Sequence, residues 1–356
     1  MEELKDIIGM LDLMIRPAFA VKDGKVAGIN AAAAGCLITE QTNIEELLAT
    51  GNEEYKAFQG GCLYLMLHLG KSTVGASVTR QQGYDIFVLD QDEVQAELQA
   101  MALAAQELRT PLSNVMAVAN QLYPVLGKDN DPALQTQAAR INRGLYQMMR
   151  IIGNMSDAYR YCQETVPQLE TRNICALVKE IFGACEPLIQ QAQIKLNYSV
   201  PEEAIFCLVD EEKLERAINN MLSNAIKFAG AGTEIQASLV QKGYLLYLTI
   251  SDGGTGVAQN VRSNVYSRYL RQPGIEDGRY GIGLGMVLIR AAAAAHGGTV
   301  LIENPQNAGT RITMTLAIKQ NTGAVRAPLY RIDYAGEQDH SLIELSETLP
   351  LSVYQK

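Results

Sequence analysis

Apolar residues follow three successive patterns along the chain, and the first lies near the N-terminus. Residues 15–30 carry two short apolar runs separated by an Asp-Gly dipeptide, which is typical of a tight β-hairpin. The alanine-rich segment 30–37 predicts a helix, and residues 83–89 predict a further strand. Together these elements predict a small α+β domain over residues 1–90.

The second pattern is a heptad repeat of apolar residues along two long segments, which predicts two helices. Its positions are Val94, Leu98, Met101, Ala105, Leu108, Leu112, Val115, Ala119 and Leu122, then Leu134, Ala138, Ile141, Leu145, Met148, Ile152, Met155 and Tyr159. The turn between the segments ends in Pro132, which suits the first turn of a helix. An antiparallel pair of such helices is half a bundle and leaves one apolar stripe uncovered. We therefore expect residues 91–165 to dimerise into a four-helix bundle.

The third pattern alternates strands with helices over residues 166–319. Strands are predicted at 244–251, 298–304 and 311–318, and helices at 211–229 and 283–295. An α/β sandwich, in which helices cover one face of a mixed sheet, fits this order. The remaining tail, residues 320–356, has weak periodicity and one short amphipathic segment. The fold class expected for the whole chain is therefore α+β multidomain.

The composition describes an ordinary globular protein, since 47% of the 356 residues are hydrophobic and 19% are charged. No run approaches the roughly 18 consecutive apolar residues that a membrane-spanning helix needs. The acidic, amphipathic N-terminus is also unlike a signal peptide, so a cytoplasmic location is expected. The net charge of −9 argues against a nucleic-acid partner.

The six cysteines are scattered and contain no C-x-x-C pair. This predicts reduced core residues rather than a metal site or a disulfide framework. Cys62 lies near His68 in an apolar stretch, and both are predicted to be core or edge residues rather than ligands. The chain has only three histidines, namely His68, His296 and His340.

Three short motifs in the third region combine amides, glycines and a carboxylate. In the first motif, Asn220, Asn224 and Lys227 recur at i, i+4 and i+7 and so share one polar face of the predicted helix. Asparagine is a mediocre helix former, so this alignment indicates either a ligand surface or a solvated helix face.

The other two motifs are rich in glycine. Asp252 follows a predicted strand and precedes Gly254 and Gly256, an arrangement that either lets the backbone approach a ligand or forms a tight loop. Further along, three glycines precede a predicted helix whose first N–H groups favour phosphate, namely Gly281, Gly283 and Gly285. No Gly-Lys-Ser/Thr sequence follows, so this motif is not a P-loop.

In this fixed order the motifs resemble the ATP-binding domain of histidine kinases, which belongs to the GHKL superfamily. The segment NNMLSNAIKF is similar to its N box, DGGTG to its G1 box, GIGLG to its G2 box and VYSRYLR to its F box, with Tyr266 where phenylalanine is usual. The resemblance covers roughly residues 90–319. It implies an ATP site with Mg²⁺, a lid over residues 272–280 and a structural role for His296.

The resemblance also implies a role for each motif residue. Asp252 would bind the adenine amino group, and Asn224, supported by Asn220, would hold Mg²⁺, a hard cation that takes oxygen ligands. Lys227 and Arg271 would contact the phosphates. The glycines of the two glycine-rich motifs would line the nucleotide.

The stretch QELRTPL resembles the phosphoacceptor motif H-E-x-x-T-P of the same family, with Gln106 in the position of the histidine. Glu107, Thr110 and Pro111 match the motif. An imidazole is a nucleophile at neutral pH, whereas a carboxamide nitrogen shares its lone pair with the carbonyl group. None of the three histidines lies within 91–165. Autophosphorylation at this helix is therefore not expected.

The flanking residues of this motif carry the remaining expectations. Gln106 follows the heptad residue Ala105 and should be accessible, and Pro111 should bend the helix because it lacks an N–H group. In the family, the acidic residue after the acceptor serves the kinase reaction, and the threonine orients water for dephosphorylation of a response regulator. Glu107 and Thr110 could retain these roles, or they could be ordinary residues of a helix surface.

Residues 10–90 resemble a PAS domain in the segment PAFAVKDGKVAGINAAAAGCL. A PAS domain binds a small ligand or serves only in dimerisation, and nothing in the sequence identifies a ligand. Together the resemblances imply a two-component signalling protein that acts on, or docks, the receiver domain of a response regulator. It would work as a homodimer, or as a heterodimer with another histidine kinase. The alternative is a non-catalytic pseudokinase scaffold.

Overall fold

The computed structural model describes residues 2–90, 93–126, 131–163, 167–254, 256, 283–305, 309–319 and 339–355. Within these residues the chain forms a ten-stranded sheet, a two-stranded sheet and two long helices. None of the described helices is both long and apolar enough to cross a membrane.

The N-terminal part of the chain is a five-stranded portion of the large sheet, flanked by short helices. Its elements are α1 (Glu2–Asp12), β1 (Ala18–Lys22), β2 (Lys25–Ile29), α2 (Ile44–Leu47), α3 (Asn52–Lys56), β3 (Cys62–Leu69), β4 (Ser72–Gln81) and β5 (Tyr84–Leu89). Strands β1 and β2 form the predicted hairpin, and both Asp23 and Gly24 in its turn have positive φ. The strands follow the order β2-β1-β5-β4-β3.

The helix predicted over residues 30–37 is wrong, because only Ala33–Gly35 forms a short 3₁₀ turn. The Asn30 side chain is the physical reason. Its Oδ1 accepts hydrogen bonds from the Ala33 N–H at 2.9 Å and from the Ala18 N–H at 3.0 Å. The backbone is thereby held in a turn, and a polar side chain that bonds nearby N–H groups competes with helix formation.

The predicted pair of long helices is present as α4 (Glu93–Leu126) and α5 (Pro132–Gln163). Helix α5 begins at Pro132, as predicted, and Asp131 caps it by accepting the Ala133 N–H at 2.8 Å. Helix α4 continues through Pro111.

Alternate heptad positions of α4 and α5 have different environments. One set is buried between the two helices and comprises Ala105, Leu112, Ala119, Leu145 and Ile152. The other set is between 45% and 54% exposed and comprises Leu108, Val115, Leu122, Ile141 and Met148. We call this second set the exposed stripe. It is the apolar surface that the heptad pattern predicts, and its burial in a four-helix bundle stays a prediction.

The C-terminal part of the chain is the predicted mixed sheet with helices on one face. Its elements are β6 (Glu170–Asn173), α6 (Ile174–Gln191), β7 (Lys195–Ser199), β8 (Phe206–Val209), α7 (Glu211–Ala229), β9 (Glu234–Lys242), β10 (Leu245–Ser251), α8 (Gly285–Ala295), β11 (Val300–Glu303) and β12 (Arg311–Ala317). In the order β11-β12-β10-β9-β7, only the β7–β9 pair is parallel. The largest core cluster lies here and includes Phe182, Leu214, Ile218 and Ile289.

The two portions of the sheet are joined edge to edge, which the sequence did not predict. Strand β11 pairs antiparallel with β3, with Val300 opposite Tyr64 and Ile302 opposite Cys62. Pairing between edge strands uses backbone groups, so it leaves no pattern of side chains to read. The result is one continuous sheet of ten strands.

The end of the tail packs into the large core. It forms α9 (His340–Glu344) and a 3₁₀ turn over Leu351–Tyr354. Its apolar side chains are buried against α5, α6 and α7, namely Ile343, Leu345, Leu349 and Tyr354. The amphipathic segment seen in the sequence is therefore a packing segment, which we call the C-terminal segment (residues 339–355).

None of the six cysteines, all of which lie in described residues, forms a disulfide bond. Cys62, Cys175, Cys185 and Cys207 are buried, as predicted, whereas the prediction of a core position is wrong for Cys162, which is exposed near the end of α5. His68 lies at an exposed position of β3.

The neutral imidazole of His296 holds the start of α7 in place. Its Nε2 accepts the N–H of Asp210, the N-cap residue of α7, at 3.0 Å, and its Nδ1 lies 2.7 Å from the Ala292 carbonyl oxygen. Burial lowers the pKa of His296 below its ordinary value. The side chain therefore serves the structure, as the resemblance implied.

This arrangement predicts that acid destabilises the fold through His296. As the pH drops below about 6.5, His296 takes up a proton in the unfolded chain but stays neutral in the folded chain. The free energy of unfolding therefore decreases by up to about 1.4 kcal/mol for each pH unit. Urea denaturation at pH 7.5 and 5.5 measures this loss. It should be smaller in His296→Gln than in the parent chain, and an equal loss in both would contradict the assignment.

Candidate nucleotide site

Helix α7 supplies the central face of the candidate site. It begins with a capping bond in which Asp210 Oδ1 accepts the Lys213 N–H at 3.1 Å. The apolar residues Leu214, Ile218 and Leu222 are buried on one side. The opposite side carries polar residues at helical spacing, namely Arg216, Asn220, Asn224 and Lys227. The polar stripe predicted from the sequence therefore exists and extends one turn further, to Arg216.

Asp252 lies just beyond β10 with its carboxylate buried and oriented by the backbone. Its Oδ1 accepts the Gly254 N–H at 2.8 Å and the Thr310 N–H at 3.2 Å. Burial raises the pKa of Asp252, and these two N–H groups partly oppose the rise. Among the described residues nothing bonds to Oδ2, so this oxygen is available to a donor on a ligand.

The glycines allow close contacts that a side chain would block. A Cβ atom on Gly254 would lie 2.0 Å from the Phe228 carbonyl oxygen, so the loop after β10 packs directly on the end of α7. A Cβ atom on Gly285 would lie 2.7 Å from Asn220 Oδ1, so α8 begins directly over the polar face of α7. Gly256 and Gly283 have positive φ, which favours glycine.

Helix α5 covers part of the polar face of α7. Arg150 donates from Nη2 to Asn220 Oδ1 at 3.4 Å. One turn away, Arg216 donates to Asn154 Oδ1 at 2.8 Å and pairs with Asp157 Oδ2 at 2.9 Å. The long helical hairpin therefore touches the same residues that the sequence assigns to the candidate site.

The C-terminal segment covers a second part of this face, at Arg216 and Lys227. Glu344 is fully buried, forms an ion pair with Arg216 and lies 3.8 Å from Arg150 Nε. Glu347 pairs with Lys227 and also with Arg150, whose Nη1 lies 2.9 Å from Glu347 Oε2. Burial alone would raise the pKa of Glu347, but Arg150 and Lys227 outweigh it and hold the pKa below its ordinary value.

The structure brings part of the predicted site together. Asn220 meets Gly285, and Gly254 packs on the end of α7, while Asn224 is half-buried on the same face as Lys227. Arg271, Gly281, Tyr266 and the predicted lid lie outside the described residues. On α4, the predicted motif residues Gln106, Glu107 and Thr110 are all exposed, as expected for Gln106.

Sequence reasoning missed four charged residues of this face, namely Arg150, Arg216, Glu344 and Glu347. One signal was present, because Arg150, Asn154 and Asp157 recur at i, i+4 and i+7 on one face of the helix, away from its apolar heptad positions. The described residues contain no cluster of His, Cys, Asp or Glu that could hold a metal ion. An Asn224 ligand would therefore need oxygen partners from a bound molecule or water.

Comparison with known proteins gives a match to one family. Residues 209–320 match the family of histidine kinase-, DNA gyrase B- and HSP90-like ATPases. The chain is 25% identical over 283 residues to the sensor protein KdpD of Escherichia coli, a match that covers 79% of this chain and 30% of KdpD. It is 28% identical to the sensor histidine kinase TmoS of Ectopseudomonas mendocina, over 63% of this chain and 23% of TmoS. The chain thus spans less than a third of these relatives.

Among solved structures, full-length ShkA in complex with AMPPNP superposes with a TM-score of 0.51 at 18% identity. The superposition covers 63% of this chain and 47% of ShkA, and it supports a shared fold. The matched family residues, 209–320, include the polar face of α7, Asp252 and the start of α8. Residues 209–320 therefore form an ATPase domain of the type shared by histidine kinases, DNA gyrase B and HSP90, and the chain is similar to sensor histidine kinases over most of its length.

Proposed function

We propose that this chain binds Mg-ATP between α7, the loop after β10 and the start of α8. The observation that carries the proposal is the buried carboxylate of Asp252. One of its oxygens is fixed by two backbone N–H groups, and the other, which has no hydrogen bond from the described residues, could accept from an adenine amino group. Neither Gly254, beside this carboxylate, nor Gly285, beside Asn220, leaves room for a side chain, as a close-fitting ligand site requires. The AMPPNP bound by ShkA is consistent with this assignment.

The residues of the polar face fit a magnesium nucleotide. The Asn224 amide oxygen is a suitable Mg²⁺ ligand, with phosphate oxygens and water completing the coordination. Bound Mg²⁺ would neutralise phosphate charge, and Lys227 and the start of α8 would attract the phosphates. Asn220 orients this face through its contacts with Arg150 and Gly285.

We further propose that the chain does not phosphorylate itself on α4. Gln106 is exposed at the position of the family's acceptor histidine, and its amide nitrogen is not a nucleophile. With no histidine in residues 91–165, no neighbouring acceptor replaces it. The chain would instead act on the receiver domain of a response regulator, with Thr110 orienting water for dephosphorylation.

A second candidate function is that of a pseudokinase partner. The exposed stripe on α4 and α5 favours it, because this apolar surface fits a second helical hairpin. That hairpin belongs either to a second copy of this chain or to an active histidine kinase. In the second case the ATP site of this chain could serve the partner's histidine.

The acceptor proposal predicts the outcome of labelling with γ-³²P Mg-ATP. The parent chain should stay unlabelled, whereas Gln106→His should take up label in an acid-labile form, because the substitution restores a nitrogen nucleophile. Gln106→Asn is the matched control and should stay unlabelled. Label on the parent chain would overturn the proposal, and an unlabelled Gln106→His would favour the scaffold function.

The adenine assignment predicts a loss of affinity in Asp252→Asn. The asparagine Oδ1 can still accept both backbone N–H groups, but its NH₂ group would face the adenine amino group, donor against donor. ATP affinity should fall about tenfold or more in calorimetric titration. GTP affinity should fall less, because guanine presents a carbonyl oxygen at that position. Equal losses for both nucleotides would contradict the assignment.

The two candidate functions differ in what Thr110→Ala does. If Thr110 orients water, the rate at which the chain dephosphorylates receiver domains labelled with acetyl phosphate should fall about a hundredfold. Thr110→Ser retains the hydroxyl group and is the matched control. Equal rates with and without the parent chain would favour the scaffold function.

A further inference from the structure

Glu347 forms an ion pair with Lys227, the lysine that the proposed nucleotide site takes from α7. Its carboxylate pairs with Lys227 Nζ and with Arg150 Nη1, and the three side chains are at least 89% buried. Lys227 lies three residues, just under one helical turn, after Asn224 on the same face of α7. The cation that would attract a nucleotide phosphate is therefore already paired with a carboxylate of the same chain.

Among the described residues, the charges around this face are balanced. Three cations, Arg150, Arg216 and Lys227, are matched by three carboxylates, Asp157, Glu344 and Glu347. A phosphate that approaches Lys227 adds negative charge beside Glu347 in a region of low dielectric, where like charges repel strongly. A phosphate at Lys227 therefore competes with the Glu347 carboxylate for the same ammonium group.

The remainder of the C-terminal segment is anchored independently of Glu347. Ile343, Leu345, Leu349 and Tyr354 are buried in the largest core, and Glu344 is held by Arg216. Releasing the whole segment would expose all of these side chains. Movement of one side chain, Glu347, requires only a change of rotamer.

We propose that Glu347 is an internal competitor for the nucleotide phosphates, which lowers the affinity of the site for ATP. This inference rests on the proposed nucleotide-binding function. The Glu347 carboxylate holds Lys227 and Arg150 when no phosphate is bound, and it leaves them when a phosphate binds. The C-terminal segment thereby sets the nucleotide concentration at which the site fills. The effect acts on phosphate groups and not on the adenosine moiety.

The test is a titration of adenosine, Mg-ADP and Mg-ATP into the full chain and into Glu347→Gln, followed by calorimetry. Glutamine preserves the shape of the side chain and removes its charge. ATP should bind about tenfold more tightly to the variant, within the range of ordinary coupling between sites, and adenosine should bind both proteins equally. ADP should show an intermediate gain.

Two controls keep the result interpretable. Glu202→Gln removes a charge from a side chain that is 93% exposed and should leave every affinity unchanged. When Glu347→Gln is added to the Lys227→Gln variant, ATP affinity should rise by less than when it is added to the parent chain, because the two charges act on each other. Glu347→Gln could itself lower the thermal unfolding temperature. In that case Mg-ATP should raise the unfolding temperature of the variant by more than that of the parent chain, since the phosphates then pair with the buried Arg150 and Lys227.

The outcomes separate this inference from the proposed function. Unchanged or weaker ATP binding in Glu347→Gln, or an equal gain for adenosine and ATP, would overturn the competitor assignment and leave nucleotide binding intact. Failure of ATP to bind the parent chain and both variants would overturn the proposed function and the inference together.

Discussion

The ion pairs of Arg216 hold together the parts of this structure that matter for its chemistry. This side chain is 1% exposed and pairs with Asp157 on α5 and Glu344 in the C-terminal segment. Removing one partner from a buried pair typically costs about 3–5 kcal/mol, because the remaining charge is left uncompensated. The position of α5 and of the C-terminal segment against α7 depends on these pairs.

In this arrangement, parts of the chain that are distant in sequence line the proposed nucleotide site. Arg150 comes from the long helical hairpin and Glu347 from the C-terminal segment, and both reach the residues of α7. A change in charge at Lys227 therefore acts on Arg150 of α5, because both side chains pair with Glu347. This connection between α7 and α5 does not involve Gln106.

The N-terminal part of the chain is joined to the same framework. The β3–β11 pairing makes the sheet continuous, and Asp90, just after β5, pairs with Arg290 of α8 at 3.2 Å. Tyr64 of β3 donates to the same carboxylate at 2.9 Å. The helix that begins at Gly285 over the candidate site is thus tied to Asp90, three residues before the first residue of α4.

The sequence by itself determined the elements whose side chains repeat in step with the backbone. The heptad seam predicted α4 and α5, and the polar stripe on α7 predicted the Asn220, Asn224 and Lys227 face, because periodicity is a local property. The tertiary structure decided what covers that face. Glu347 and Arg150 lie far from Lys227 in sequence, and their pairing depends on folded proximity that no spacing encodes. The pairing of β3 with β11 could not be predicted from the sequence either, since backbone hydrogen bonds between edge strands require no particular side chains.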